Sequence, residues 1–323
     1  VLAIVCPGQG SQTPGFLAPW LELDGVRDEL ARLSDATGID LVAHGTTSDA
    51  ETIKDTAVAQ PLIVSAGLIA LPPLLGDARA LSRVDLLAGH SVGEITATAA
   101  AGVLAADDAV VFVRERGRAM AAASAATPTG MAAVLGGDAD EVLAALERHG
   151  LTPANVNGAG QTVAAGTLEQ LAALQDDPPA KARVIPLQVA GAFHTHHMAP
   201  AVSVLEELGA TMHTTAPSVT LLSNADGEPV SDGREALDRL VRQVSNPVRW
   251  DLCMETMLRL GVTGLIELPP AGTLVGLAKR AMKGVETLAL KTPDDLEAAQ
   301  RMISEHGGRT PEPADSTPSR VDQ

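Results

Sequence analysis

The segment Gly89-His90-Ser91-Val92-Gly93-Glu94 sets a serine between two glycines, directly after the apolar run Val84-Asp85-Leu86-Leu87-Ala88 and ahead of an alanine-rich stretch. A serine so placed matches the nucleophile of a strand-turn-helix elbow, and the chemistry this suggests is acyl transfer through a serine ester. The turn requires its glycines, because strand and helix fold back so closely that side chains two residues from the serine collide, and the serine backbone is itself strained. The same turn puts the serine at a helix N-terminus, where free N–H groups and the positive end of the dipole favour a developing oxyanion.

A serine hydroxyl attacks only when a base takes its proton, so one of the eight histidines has to serve. His44, His149, His213 and His306 fall in surface or terminal segments. His90 adjoins the nucleophile on a turn where neighbouring side chains diverge, which leaves it a supporting role. The cluster His194, His196 and His197 remains. Its H-x-H-H pattern is also dense in metal ligands, but no cysteine or acid lies near it in sequence to complete a metal site. Arg116 carries a second signal. On a helix predicted over 106–121 it lies three and four residues from Val113 and Phe112 and four before Met120, so it shares their apolar face, whereas Arg114 and Arg118 lie opposite. A guanidinium on a buried face is costly unless it meets an anion, either a core carboxylate such as Glu94 or the carboxylate of a ligand.

The chain opens with the strand-like Leu2-Ala3-Ile4-Val5-Cys6 and then Pro7-Gly8-Gln9-Gly10-Ser11-Gln12. This G-Q-G-S-Q segment and the later G-H-S-x-G-E segment together resemble the malonyl-CoA:acyl-carrier-protein transacylases and the related acyltransferase domains of fatty acid and polyketide synthases. The resemblance runs from Ile4 to about Leu290. It includes, in the family's order, Val113 to Gly117, Asn155-Val156-Asn157, Gly191 to His196, Val241-Arg242-Gln243, Asn246 to Trp250 and Gly272 to Leu277.

The resemblance implies a ping-pong transfer of malonyl from malonyl-CoA to the phosphopantetheine thiol of acyl carrier protein, with Ser91 as nucleophile and no bound cofactor or metal. It makes His196, the final histidine of Phe193-His194-Thr195-His196, the base, and the main-chain carbonyl of Gln243 its orienting partner. The oxyanion hole is implied to be the N–H groups of Gln9 and Val92. Gly8 and Gly10 would let the Gln9 amide approach a tetrahedral oxygen. Arg116 is implied to clamp the malonyl carboxylate, and Asn155 and Asn157 to border the substrate. Leu268-Pro269-Pro270-Ala271-Gly272 departs from the family's common Gly-Pro-Gly, removing glycine conformations and one N–H beside the expected cleft. A serine hydrolase or thioesterase shares the elbow, but orders its residues serine, acid, histidine, with the histidine late in the chain. A catalytically silent carrier-docking module would not need the full catalytic set.

Apolar strand runs alternating with helical patterns predict an α/β fold, a mainly parallel sheet flanked by helices. Strands are predicted at 2–6, 84–88, 219–223 and 263–268, and helices at 57–75, 92–101, 106–121, 200–208, 234–243, 250–260 and 273–281. Between 124 and 190 the order strand-helix-strand-strand-helix-strand suits a ferredoxin-like subdomain, which the resemblance also implies, inserted in a large α/β-hydrolase-like unit of residues 1–123 and 191–305. Residues 306–323, nearly devoid of apolar side chains, are expected to be a disordered tail.

The 323 residues are 46% apolar and carry a net charge of −17, which disfavours nucleic acid as a partner. Coenzyme A and acyl carrier protein are anionic too, so their recognition calls for local cations such as Lys279, Arg280 and Lys283, or Arg242 and Arg249. Two cysteines, Cys6 and Cys253, give no disulfide framework. No apolar run is read as a membrane span or secretion signal, and the expected setting is a cytoplasmic monomer.

Overall fold

The computed structural model describes residues 1–76, 81–189 and 191–308. The part of the expected tail beyond residue 308 lies outside the described residues.

From the N-terminus the chain forms β1 (Leu2–Cys6), α1 (Val26–Thr37), α2 (Leu41–Thr46), α3 (Ala50–Lys54), α4 (Thr56–Leu75), β2 (Leu86–Gly89), α5 (Gly93–Ala100) and α6 (Ala106–Ala126). There follow β3 (Thr129–Gly136), α7 (Ala139–Arg148), β4 (Thr152–Gly158), β5 (Gln161–Thr167), α8 (Leu168–Asp176) and β6 (Ala182–Pro186). The chain then returns through α9 (Ala199–Gly209), β7 (Thr220–Leu222), β8 (Pro229–Val230), α10 (Gly233–Gln243), β9 (Val248–Arg249), α11 (Trp250–Arg259), β10 (Gly264–Glu267), α12 (Thr273–Ala281), β11 (Glu286–Ala289) and α13 (Leu296–His306).

The larger sheet has the order β11-β10-β1-β2-β7-β8, with every pair parallel except β7 with β8. Central β1 is buried along its whole length, because a parallel strand covered on both faces has no solvent side to keep polar. Its period-two pleat divides it between two cores. Leu2, Ile4 and Cys6 pack with α1, α4, α5, α6 and α13, while Ala3 and Val5 pack with α11 and α12. Both cysteines are free and buried, and burial pushes the Cys6 thiol up, which leaves it unreactive.

Helix α4 has the length and apolar content of a membrane-crossing helix, an exception to the expectation from sequence. Two thirds of its apolar window is buried inside the molecule, where it packs along α6, so the core accounts for its composition.

The smaller sheet has the order β6-β3-β5-β4-β9. Neighbours among its first four strands are antiparallel, and these strands arise from the β-α-β-β-α-β order of residues 129–186. Two-residue β9 comes from far downstream and pairs with β4 in parallel, Asn155 opposite Val248. The helices of this layer are sharply capped: the Asp138 carboxylate accepts N–H groups of Asp140 and Glu141, and Thr167 and Gln170 form a capping box.

Loops at the carboxyl ends of β1, β2, β7 and β10 meet at one end of the larger sheet, the position where open parallel sheets place their sites. Close backbone packing makes this possible. A Cβ on Gly93 would stand 2.1 Å from the Cys6 carbonyl oxygen, and one on Gly89 would stand 2.1 Å from the Gly93 carbonyl. Both obstacles are backbone and cannot yield. Gly93→Ala should therefore cost about 3 kcal/mol or more by thermal unfolding. Gly276, inside α12 with nothing within 4 Å of its would-be Cβ, is the control. Gly276→Ala should stabilise by about 0.5–1 kcal/mol.

Candidate active site

Ser91 follows β2 with φ of 53°, a left-handed conformation that β-carbon-bearing residues adopt only under constraint. The constraint is Asn224, wholly buried just after β7. Its Oδ1 accepts from Ser91 N at 2.8 Å, and its Nδ2 donates to Gly89 O at 2.7 Å. Unlike α7, α8 and α10, helix α5 has no side-chain cap at its N-terminus. The N–H groups of Val92 and Gln9 donate to no protein acceptor among the described residues, and both residues line the cavity at Ser91. The Gln9 loop is tied down by Gln9 Nε2 to Lys54 O (3.2 Å) and by Gly10 N to Gln12 Oε1 (2.8 Å). Gly8 touches His90 with no room to spare, since a Cβ there would lie 3.0 Å from the His90 carbonyl oxygen.

The histidine on Ser91 is His194. Its Nε2 lies 2.8 Å from Ser91 Oγ, and its Nδ1 lies 2.7 Å from the main-chain oxygen of Gln243. The carbonyl can only accept, so Nδ1 carries the proton and Nε2 faces the hydroxyl as a free base. This corrects the expectation for His196, which is exposed at the start of a 3-10 turn with its ring 4.1 Å from that of His197. The physical reason is local. His194 has φ of 61°, Thr195 Oγ1 donates to Ala192 O, and the chain turns so that position 194 points inward and position 196 outward. The carbonyl assigned to Gln243 is the one observed, holding the other histidine.

Arg116 is 1% exposed, as its place on the apolar face of α6 predicts. Its NH1 donates to Gln60 Oε1 (2.5 Å) and its NH2 to Gln243 Oε1 (2.8 Å), with the same NH2 3.4 Å from Ser91 Oγ, while buried Nε has no partner among the described residues. No direct ion pair joins it to Glu94 among the described residues. Asn155 and Asn157, both buried, come from β4. They line a cavity of about 250 Å³ together with Ser91, His194, Arg116, Met131 and Val163. Asn157 Oδ1 lies 2.8 Å from His90 Nε2, so His90 joins the elbow to the smaller sheet.

Three residues at the site escaped the sequence reading. Asn224 and Gln60 are buried amides whose roles arise only when distant elements meet. Gln60 did leave a trace as one of the few polar residues in an apolar helix. The third is Glu267, wholly buried at the end of β10, whose carboxylate accepts from the N–H groups of Gly272 (2.8 Å), Leu274 (3.0 Å) and Val275 (2.9 Å). This carboxylate supports the Leu268 to Gly272 loop, in which the Pro269-Pro270 bond is cis, and fixes the start of α12. Thr273, Leu274 and Leu277 of that helix line the cavity.

Burial, reinforced by the Arg116 cation, pushes the His194 pKa down from the usual 6.5 to about 3. Burial pushes Glu94 up to about 7, against hydrogen bonds from Asn224 N and Gln243 and the charge of Arg116. Between pH 6.5 and about 3 the unfolded chain takes up a proton that folded His194 refuses, so this residue's contribution to stability falls as pH is lowered. Glu94 acts in the opposite sense between 4.5 and about 7.

A base held neutral should work in acid. The rate at which a fluorophosphonate probe labels Ser91 should show its acid limb below about pH 5 instead of near the ordinary histidine pKa. In the same assay His194→Ala should slow labelling by about 10²- to 10⁴-fold, and His196→Ala should leave it near wild type.

Comparison with known proteins agrees with this geometry. Residues 3–308 match the family model described as acyl transferase domain. The malonyl CoA-acyl carrier protein transacylase of Mycobacterium tuberculosis is 54% identical over 297 residues, covering 92% of this chain and 98% of that protein. The crystal structure of MCAT from Mycobacterium tuberculosis superposes with a TM-score of 0.89 at 54% identity, covering 93% of this chain and 99% of that one. A malonyl-transacylase solved in complex with its type II PKS acyl-carrier protein is 30% identical with a TM-score of 0.85, covering 93% and 99%. With an uncapped elbow serine, a histidine on its hydroxyl and this likeness over nearly its whole length, the chain belongs to the acyl transferase family, among the malonyl CoA-acyl carrier protein transacylases.

Proposed function

We propose that this chain transfers the malonyl group of malonyl-CoA to the phosphopantetheine thiol of an acyl carrier protein through a malonyl ester on Ser91. The observation that carries the acyl choice is Arg116, a buried cation 3.4 Å from the nucleophile whose hydrogen-bond partners among the described residues are all neutral. A carboxylate one methylene beyond the reacting carbonyl is the anion that fits there, and the guanidinium can hold it through two parallel hydrogen bonds.

The chemistry follows from the positions. His194 Nε2 takes the Ser91 proton as Oγ attacks the thioester carbon, and the N–H groups of Gln9 and Val92 receive the oxyanion. The Gln243 carbonyl stabilises the imidazolium through Nδ1–H, in the role a carboxylate plays in a Ser-His-Asp triad. Collapse breaks the carbon–sulfur bond, and Nε2–H protonates the departing coenzyme A thiolate. In the second half His194 takes the proton of the carrier's thiol, sulfur attacks the ester, and Ser91 leaves with its proton restored. Both nitrogens of His194 are engaged in this cycle, so the histidine cluster does not supply a three-ligand metal set.

Carrier and coenzyme approach as anions. Lys279, Arg280 and Lys283 are exposed at the far end of α12, whose first turn lines the cavity, about 9 Å along the helix at 1.5 Å per residue. Arg249 is less available, being paired with Asp251 at 2.8 Å.

Brief mixing with malonyl-CoA should give a malonyl adduct by intact-mass spectrometry that Ser91→Ala abolishes. An adduct that survives this substitution removes Ser91 as nucleophile. Arg116→Ala should lower the malonyl-to-acetyl ratio of kcat/KM by about 10- to 150-fold, because acetyl has no carboxylate to satisfy. Equal losses for both acyl groups with a lower Tm would assign Arg116 to stability alone.

A further inference from the structure

Arg116 and Glu94 are both buried, yet they do not touch. Between them stands the side-chain amide of Gln243, whose Oε1 accepts from Arg116 NH2 at 2.8 Å and whose Nε2 donates to Glu94 Oε2 at 2.5 Å. We propose that Glu94 is a positioning residue for acyl-group selection: its carboxylate fixes which way the Gln243 amide faces, and the amide in turn holds the Arg116 guanidinium at Ser91.

An amide has two nearly isosteric ends, and only one can face a cation. If Gln243 turned over, its NH₂ would point at Arg116 and the buried guanidinium would lose an acceptor. The surroundings forbid this. Nε2 faces three acceptors, Glu94 Oε2 (2.5 Å), Asn224 Oδ1 (3.1 Å) and Ser91 O (3.2 Å). Of these only Glu94 can carry charge, as it does once ionised above about pH 7, and charge-assisted bonds are about twice as strong as neutral ones. Glu94 is itself held: Oε1 accepts from Asn224 N at 3.2 Å, and the residue sits in the first turn of α5, where the helix dipole favours an anion.

The arrangement also resolves an apparent conflict in charge. A direct Glu94–Arg116 ion pair would satisfy the guanidinium and leave it nothing to offer a substrate. The interposed amide transmits orientation without neutralising the cation. Glu94 and Gln243 in addition line a second cavity of about 610 Å³, bordered by Asp226, Arg239, Arg242 and Arg249, which Ser91 and His194 do not line.

The proposal rests on Arg116 receiving the acyl carboxylate, and the test separates the two ideas. Malonyl and acetyl transfer are measured for wild type, Glu94→Gln, Arg116→Ala and the double variant, each checked for folding by its Tm. Glu94→Gln should lower the malonyl-to-acetyl ratio of kcat/KM by about 5- to 30-fold, less than Arg116→Ala does. In the Arg116→Ala background it should change the ratio no further, since both act through one guanidinium. Should Glu94→Gln fail to fold, Gln243→Met keeps the main-chain carbonyl that holds His194, and it should show the same selective loss and the same non-additivity. Equal losses for both acyl groups, or independent effects in the double variant, would overturn the role of Glu94. An unchanged ratio in Arg116→Ala would overturn the clamp beneath it.

Discussion

The site depends on backbone lying directly against backbone where α5 crosses the end of β1. At Gly93 there is no room for a single extra carbon between the helix and the carbonyls of Cys6 and Pro7. That approach draws the loops after β1 and β2 together, so that two N–H groups from segments more than eighty residues apart line one cavity. Any residue larger than glycine would push the helix out and separate them. Under the proposed reaction, sterics at one point thereby set the electrostatics of another, because an oxyanion hole is useful only when its donors are already in place.

Beneath the elbow lies a group of buried polar side chains, Glu94, Arg116, Asn224, Gln243 and Gln60, set in a largely apolar core. Burying such groups costs free energy unless their hydrogen bonds are made. Nearly all are made here, often by amides that use both ends: Asn224 serves Ser91 and Gly89 and, through its main chain, Glu94, and Gln243 serves Arg116, Glu94 and, through its main chain, His194. The exception is Arg116 Nε. A rigid polar group with one donor unmet among the described residues, beside Ser91, describes a binding site, where a purely structural cluster would close on itself.

Much of this was legible in the sequence because its signals are local. Strands 2–6 and 263–268 read correctly since buried parallel strands are continuous apolar runs, and the elbow read correctly since its glycines answer a short-range clash. Helical periodicity places Arg116 on a buried face, and the family resemblance gives it its role. The choice of His194 over His196 was not legible. Two histidines two residues apart lie on the same side of an extended chain, and only the left-handed turn at position 194 separates them. Asn224, Glu267 and β9 were missed for a related reason. Each gains its role from a partner far along the chain, and β9, at two residues, is too short to show any period.

The stretch after α10 joins two functions that would otherwise be independent. Gln243 gives its carbonyl to His194, and five residues later the same chain becomes β9, hydrogen-bonded to the strand that carries Asn155 and Asn157. The imidazole is thus suspended from the same tether that anchors the far wall of the cavity. Widening the cavity to admit a bulkier acyl chain by moving the smaller sheet would pull on that tether and misalign the proton acceptor. Acyl size and proton transfer are mechanically in series, and a variant of this fold that accepts larger groups has to find its space in side chains such as Met131, Val163 and Leu187, leaving the position of the sheet alone.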